Sequence, residues 1–429
     1  MKRFRLTADM SKRRDHDCVC SSIYVATLIL FFFTIQSIHA GSLIATWDAN
    51  SESDLAGYLV LYGTEAGTYD VEQDVGNKTT YVARDLQAGQ EYFFVVKAYD
   101  LSGNVSAPSL EVSAVASDDP GGPNLIALRE NDQVRLIWSS IEGAESFEIY
   151  RDIDPYFEPG SPIATVSADE LEYVDSFHFQ NPEKGTYYTV RATSGGNVVH
   201  AFNAVGAYDV TLHQGLNLVS LPLVPVDASL DGVLGDQLSG GDNSTNATKV
   251  RNWNGLEYET SWLYDGPITE FQGRWIDSET GKLSARVLDE SVSFWVVIQE
   301  NESEHHFTFT GNVPDEENRS ITLAKGFNFV GSIYPVQVSL SESELYEDGV
   351  MKGGVGSGEA DIIKYWNGSN YELAWVVDGT ATELDGVWMD GTGKSEAGIS
   401  FNPGHGYILW IKGDNPNKTW TFPNPSLTQ

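Results

Sequence analysis

With 429 residues the chain is too long for one ordinary core, and at roughly 100 to 200 residues per domain it divides into two to four units. Gly 41, aromatics at 12%, Met 4 and no sustained apolar heptads exclude a coiled coil and favour short strands joined by turns. A formal net charge of −35 excludes nucleic acid and anionic membrane as partners and leaves solubility, divalent cations or basic partners.

Residues 1–40 stand apart. "MKRFRLTADMSKRR" is basic, "IYVATLILFFFTI" is a largely apolar run, and "QSIHA" then "GS" offers small residues, which together read as a signal peptide cut after Ala40. A membrane span needs about 18 apolar residues, so this run is short for a permanent helix, and no stable membrane insertion is expected after cleavage. The tail "TWTFPNPSLTQ" carries no apolar helix or lipidation signal. Cys18 and Cys20 both lie in the leader, so the cleaved chain would hold itself together without disulfides or thiolate metal sites. Setting aside Lys2, Arg3, Arg5, Lys12, Arg13 and Arg14, and Asp9, Asp15 and Asp17, takes the bases from 26 to 20, the acids from 61 to 58 and the net charge to −38.

In "WDANSESDLAGYLVLYG" the spacing of Asp48, Asn50, Glu52 and Asp54 raises a calcium loop, but a helix–loop–helix calcium site needs Gly at its sixth position and Glu at its twelfth. Counting from Asp48 puts Ser53 and Leu59 there. Period-two alternation on both sides, Ile44 to Trp47 and Tyr58 to Tyr62, predicts a strand, a turn and a strand. Further on, Leu86, Gly89 and Tyr92 have the spacing of a tyrosine corner, with Phe94, Val96 and Ala98 as inward candidates. On Trp47, "GYLVLYG", this corner and "AYDLSGN", residues 41–117 resemble the fibronectin type III domains of secreted bacterial proteins. The resemblance implies a β-sandwich used as a spacer or as an adhesion or ligand-presenting module. That family has a strand A before the Trp-bearing strand, and a chain cut after Ala40 retains almost nothing to form it, so the exposed edge is expected to take a strand from a partner or a neighbouring copy.

"SDDPGGPN" reads as a linker. The Trp-strand, turn, strand arrangement restarts with Trp138, Phe147 and Ile149, and "GTYYTVRATSGGN" supplies Tyr188, Val190 and Ala192. Residues 124–207 therefore resemble a second, divergent type III module, with Thr186 where the corner tyrosine would stand.

From residue 208 the chain repeats itself: "VTLHQGLNLVSLP" returns as "ITLAKGFNFVGSIYP". Trp253, Trp262 and Trp275 match Trp366, Trp375 and Trp388 at a separation of 113, and Trp295 matches Trp410 at 115. A repeat this long is a domain rather than a solenoid unit of about 20 to 50 residues, so β repeats are expected at 208–315 and 320–425. "NWNGLEY" and "YWNGSNY" predict hairpins closed by Asn-Gly type I′ turns at Asn254–Gly255 and Asn367–Gly368. The tryptophans read either as core or as a sugar-binding platform. Trp253 and Trp366, which abut the turns, are the candidate glycan-binding residues.

Chemistry is sparse. His305 and His306 are adjacent, which on a strand points them to opposite faces. "KGGVGSGE" leads into a hairpin rather than the helix a phosphate cradle needs. "DSETGK" and "DGTGK", from Asp277 and Asp390, could ligate calcium, and turn chemistry explains them as well.

The expectation is an all-β chain of tandem β-sandwich domains, two fibronectin type III-like (Ig-like) modules followed by two copies of a Trp-rich antiparallel β domain. It is expected to be secreted or at the cell surface, to lack enzymatic activity and a required cofactor (calcium aside), and to act as an adhesion or scaffold protein assembling by strand addition, with a protein or polysaccharide partner and self-association. The alternative is a carbohydrate-binding protein working through Trp253 and Trp366.

Overall fold

The computed structural model describes residues 4–7 and, from 40 to 425, all but 48–53, 78–79, 88, 117–124, 131–132, 177–183, 236, 269–270, 300–303, 317, 333 and 414–416. The chain divides into two compact units, Met1–Asn124 with Trp138–Glu145, and Leu125–Ile137 with Ser146–Gln429. Both are built of strands. Helix among the described residues is confined to Leu230–Leu234 and a 3-10 turn at Ser341–Ser343.

The first unit is a two-sheet sandwich. Strands Phe4–Thr7, Ala40–Trp47 and Thr80–Gln87 form one sheet; Val71–Gly76, Leu55–Gly63, Glu91–Asp100 and Val112–Val115 form the other. Alternate residues point inward, so Leu43, Ala45 and Trp47 meet Tyr58, Val60, Tyr62, Phe94 and Val96 in one core. Trp47 meets Tyr58 edge-on at 5.6 Å, and Tyr62 stacks on Phe94 at 4.9 Å. The tyrosine corner forms as the spacing predicts: the Gln87 N–H donates to the Tyr92 hydroxyl at 2.9 Å, and Gly89 takes the positive φ of the turn between them. The calcium-loop candidate lies mostly outside the described residues, since 48–53 are not among them.

The strand A position is filled from an unexpected place. Phe4–Thr7, upstream of the apolar run, pairs antiparallel with the Trp-bearing strand, Phe4 opposite Trp47 and Thr7 opposite Ile44. The Trp-bearing strand, strand B, itself begins at Ala40.

In the second unit, Leu125–Glu130, Gln133–Trp138 and Glu172–Asp175 form the smaller sheet of a second sandwich. Its larger sheet runs Ala164–Ser167, Ser146–Asp152, Gly185–Ser194, Val205–His213, and does not stop there. Val205–His213 also pairs along its whole length with Glu304–Asn312, from Val205 opposite Asn312 to His213 opposite Glu304. One strand thus closes the second sandwich and opens the first repeat, and the junction expected between 207 and 208 falls inside it. Tyr187 of the sandwich shares a core with Tyr208, Leu221, Trp275 and Phe307.

Each repeat carries a five-stranded antiparallel sheet of the same order: Gly215–Val219, Phe294–Ile298, Lys249–Trp253, Tyr258–Tyr264, Arg274–Asp277, and Gly326–Gly331, Gly406–Ile411, Ile362–Trp366, Tyr371–Val376, Trp388–Asp390. Strand register fixes which residues are equivalent. Lys249 faces Val297 as Ile362 faces Trp410, and Leu218 faces Trp295 as Phe329 faces Ile408. The separation is therefore 113 in the two central strands of each sheet and 111 in the first strand, where Leu218 matches Phe329. Trp253, Trp262 and Trp275 are matched as expected; Trp295 is not matched with Trp410 but occupies the place of Ile408. A two-residue slip leaves every side chain on the same face, so alternation alone cannot detect it.

The hairpins also differ from expectation. Trp253 pairs with Tyr258 and Trp366 with Tyr371, leaving four-residue loops. Only the glycines have positive φ, +97° at Gly255 and +91° at Gly368. The asparagines act instead through their side chains: Asn254 Oδ1 accepts from the N–H groups of Leu256 and Glu257, and Asn367 Oδ1 from those of Ser369 and Asn370. An asparagine that caps its own loop this way has no need of the left-handed backbone a type I′ turn demands.

Candidate functional site

Most repeat tryptophans are core. Trp275, Trp295, Trp375, Trp388 and Trp420 are buried, whereas Trp253, Trp262, Trp366 and Trp410 are half-buried. The two candidate glycan residues lie at the seam where the repeats pack together, in an apolar cluster of Leu218, Trp295, Phe329 and Ile408 flanked by Trp253 and Trp366. Trp253 reaches across to Phe329, with centroids 6.2 Å apart, and Trp366 to Trp295 at 6.1 Å. The indole N–H of Trp366 donates to the Leu216 carbonyl at 2.7 Å.

The seam has a local two-fold axis. Ser220 N–H donates to Gly404 O at 3.0 Å, and its equivalent Gly331 N–H donates to Ser291 O, the equivalent of Gly404, at 3.2 Å. A Cβ on Gly331 would lie 2.4 Å from Ser220 Cβ, and one on Gly406 would lie 2.4 Å from Ser293 Cβ. In both cases a glycine meets its own serine counterpart, as a self-complementary interface requires near its axis. Burial and the neighbouring phenol of Tyr258, its equivalent, raise the Tyr371 pKa.

Beside the axis a groove of about 370 Å³ opens between Thr211–Val219 of the first repeat and Tyr365–Gly368 with Gly404–His405 of the second. Its walls are held by backbone. Asn217 clamps the turn after His213, its Oδ1 accepting from the His213 N–H at 2.8 Å and its Nδ2 donating to the His213 carbonyl at 2.7 Å; Gly215 supplies the positive φ of +94°. Across the seam, the His405 carbonyl accepts from Ser220 Oγ at 2.7 Å. Tyr365 stacks on Tyr407 at 5.5 Å, and its hydroxyl lies 3.3 Å from His405 Nδ1. Burial pushes the Tyr407 phenol up; it donates to Ser400 O and stays neutral through the physiological range. The groove lining thus joins Tyr365, Trp366 and two imidazoles to aliphatic side chains such as Leu216 and Val219, without Asp, Glu, Lys or Arg among its lining residues.

Of these residues the sequence pointed to Trp366 and to the Asn367–Gly368 loop. His213, Tyr365 and His405 were missed, because they come from three separate segments: Tyr365 and His405 meet within the second repeat, and His213 joins them only across the seam.

The remaining motifs lie elsewhere in the repeats. Asp277 Oδ1 accepts from the N–H and hydroxyl of Thr280, and Asp390 Oδ1 from those of Thr392, so both carboxylates close their own turns. His305 and His306 alternate along Glu304–Asn312, and the His305 ring reaches the Gln237 carbonyl. "KGGVGSGE" runs through turns into the strand Ile362–Trp366. Among the described residues no three His, Cys, Asp or Glu side chains are grouped to hold a metal ion, and no helix is long and apolar enough to cross a membrane.

Residues 32–115 match the family model of the fibronectin type III domain. The chain is 32% identical over 124 residues to a Kelch domain-containing protein of Saccharolobus solfataricus, covering 28% of this chain and 17% of that one. It is 28% identical over 198 residues to exoglucanase B of Cellulomonas fimi, covering 42% and 17%, and 26% identical over 182 residues to chitinase A1 of Niallia circulans, covering 39% and 24%. The matches span less than a quarter of the length of each of these relatives.

Proposed function

We propose, for a chain whose first module is a fibronectin type III domain, that it is a secreted or cell-surface adhesion and scaffold protein, non-enzymatic, whose first sandwich joins a partner by strand addition. The observation that carries this reading is the source of strand A. The segment beside Ile44–Trp47 is Phe4–Thr7, which precedes the expected cut after Ala40, whereas strand B begins at Ala40. Cleavage would remove strand A and spare strand B, leaving unpaired those N–H and C=O groups of Ile44–Trp47 that face away from Thr80–Gln87. Such an edge is a template for another strand, and the leader would guard it until export. The test compares the chain beginning at Gly41 with the same chain plus a synthetic peptide of residues 1–10. Light scattering should show concentration-dependent self-association of the shortened chain, suppressed by the peptide. A shortened chain that remains strictly monomeric at high concentration would sink the reading.

A second reading, carbohydrate binding, is favoured by the groove beside Trp366, where aromatic rings and neutral polar groups converge. Relatives named exoglucanase and chitinase lend it further support, since those names denote action on polysaccharides. A polysaccharide pull-down with Trp253→Ala and Trp366→Ala tests it; full binding by both variants would remove these residues from the platform.

A further inference from the structure

We propose that only one side of the two-fold seam, the groove bearing His213, Tyr365 and His405, is a ligand site, and that its ligand is a neutral, β-linked oligosaccharide. The inference rests on the carbohydrate reading above and narrows it to one place and one class of sugar.

The two-fold axis generates a second groove position, and strand register identifies its residues. Tyr365 faces Glu372 as Asn252 faces Glu259. His405 and Val292 precede the equivalent Gly406 and Ser293. His213 donates its N–H to Asn217 Oδ1 as Ala324 does to Asn328 Oδ1. The counterpart of His213, Tyr365 and His405 is therefore Ala324, Asn252 and Val292. Both sides keep the tryptophan, the Asn-Gly loop and the asparagine clamp. A seam that forms with Ala, Asn and Val on its other side shows that the framework does not require His, Tyr and His there. Tyr365 also packs on Tyr407 against the core of the second repeat, so the assignment falls on His213 and His405, two hydrogen-bonding rings from separate segments that line one groove and that the counterpart side replaces with Ala324 and Val292.

The chemistry of the wall selects the ligand. Imidazole, phenol and carboxamide groups offer both donors and acceptors, which suits hydroxyl groups. The Trp366 indole offers a flat apolar ring, which suits the C–H face of a sugar whose hydroxyls are equatorial, as in β-linked glucose or N-acetylglucosamine. The lining holds no Lys or Arg for a uronate or sulfate, and the chain's charge of −35 opposes anionic sugars. A volume of about 370 Å³ is at the lower end of the range for small-molecule sites, about 300–1,000 Å³, so a short stretch of a longer chain would be gripped.

The test is calorimetric titration of the full chain with cellohexaose and with chitohexaose, dextran serving as the control of different linkage. One or both hexasaccharides should bind at one site per chain, and dextran should not. His213→Ala with His405→Val installs the residues of the counterpart groove and should weaken binding about tenfold or more, the equivalent of about 1.4 kcal/mol, without lowering the thermal midpoint. Tyr365→Phe keeps the stacked ring and should weaken binding by a smaller factor. Phe327→Ala, on the counterpart side where Phe327 is 46% exposed, should leave binding within about twofold. Hexasaccharide binding that survives the double variant, or that is lost in Phe327→Ala, or two sites per chain, overturns the groove assignment while leaving the carbohydrate reading intact. Retention on insoluble glucan or chitin without hexasaccharide binding likewise overturns the groove alone. Absence of binding to every soluble and insoluble glycan ends both.

Discussion

Asp277, which the sequence offers both to calcium and to a turn, closes its own turn. The Thr280 N–H first, then the Thr280 hydroxyl, the Glu279 N–H and the Arg286 guanidinium hold its carboxyl below the usual carboxylate range against the opposing effect of burial. Because the folded value lies below the unfolded one, about 3.9, its contribution to stability is complete above that value and fades as pH falls through the folded value. Asp277→Asn should therefore flatten the fall in thermal midpoint below about pH 4, read by calorimetry from pH 2 to 7; an unchanged acid slope would show that the carboxylate does not contribute. The same scale explains a correct reading and a failed one. Tyr92 was legible because a corner tyrosine needs only its own strand and the preceding turn. Asn254 and Asn367 were placed in the right loops with the wrong backbone, because Asn-Gly fits both a left-handed turn and a side-chain cap, and loop length decides between them.

Among the elements, the strands that carry the seam were visible as alternation, but their meeting was not. Ser220 and Gly331 sit at equivalent places on two strands and face each other with no room for a second Cβ. Gly331→Ala should lower the stability of the second unit by about 1–3 kcal/mol in denaturant unfolding, the usual cost of overpacking. Adding Ser220→Gly should recover part of that loss, not all, since Ser220 Oγ also donates to the His405 carbonyl and accepts from the Ser332 N–H. Additive losses in the double variant would mean that the two residues do not share the contact. The offset of 113 rather than 115 belongs to this scale too: matching tryptophan to tryptophan was a sound guess from composition, and hydrogen-bond register corrected it.

For the whole molecule, a net charge of −35 sets a condition on both proposals. Self-repulsion destabilises a compact acidic chain, and salt at about 0.15 M confines it to about 8 Å. Raising sodium chloride from about 0.01 M to about 0.15 M should raise the thermal midpoint and promote association of the shortened chain, while binding of a neutral sugar should not weaken. A midpoint that falls with salt would show that local ion pairs such as Arg274–Asp231 and Arg319–Glu290 outweigh the global repulsion. The sequence by itself determined the class of fold, the corner of the first sandwich and the duplication of the C-terminal half. Each is written in periodicity, short spacings or self-similarity that local physics obeys without reference to distant residues. Tertiary structure alone decided the source of strand A, the continuation of one strand from the second sandwich into the first repeat, and the gathering of His213, Tyr365 and His405. These depend on which edges and faces meet after the strands have formed, and one-dimensional spacing does not encode contacts made across a folded seam.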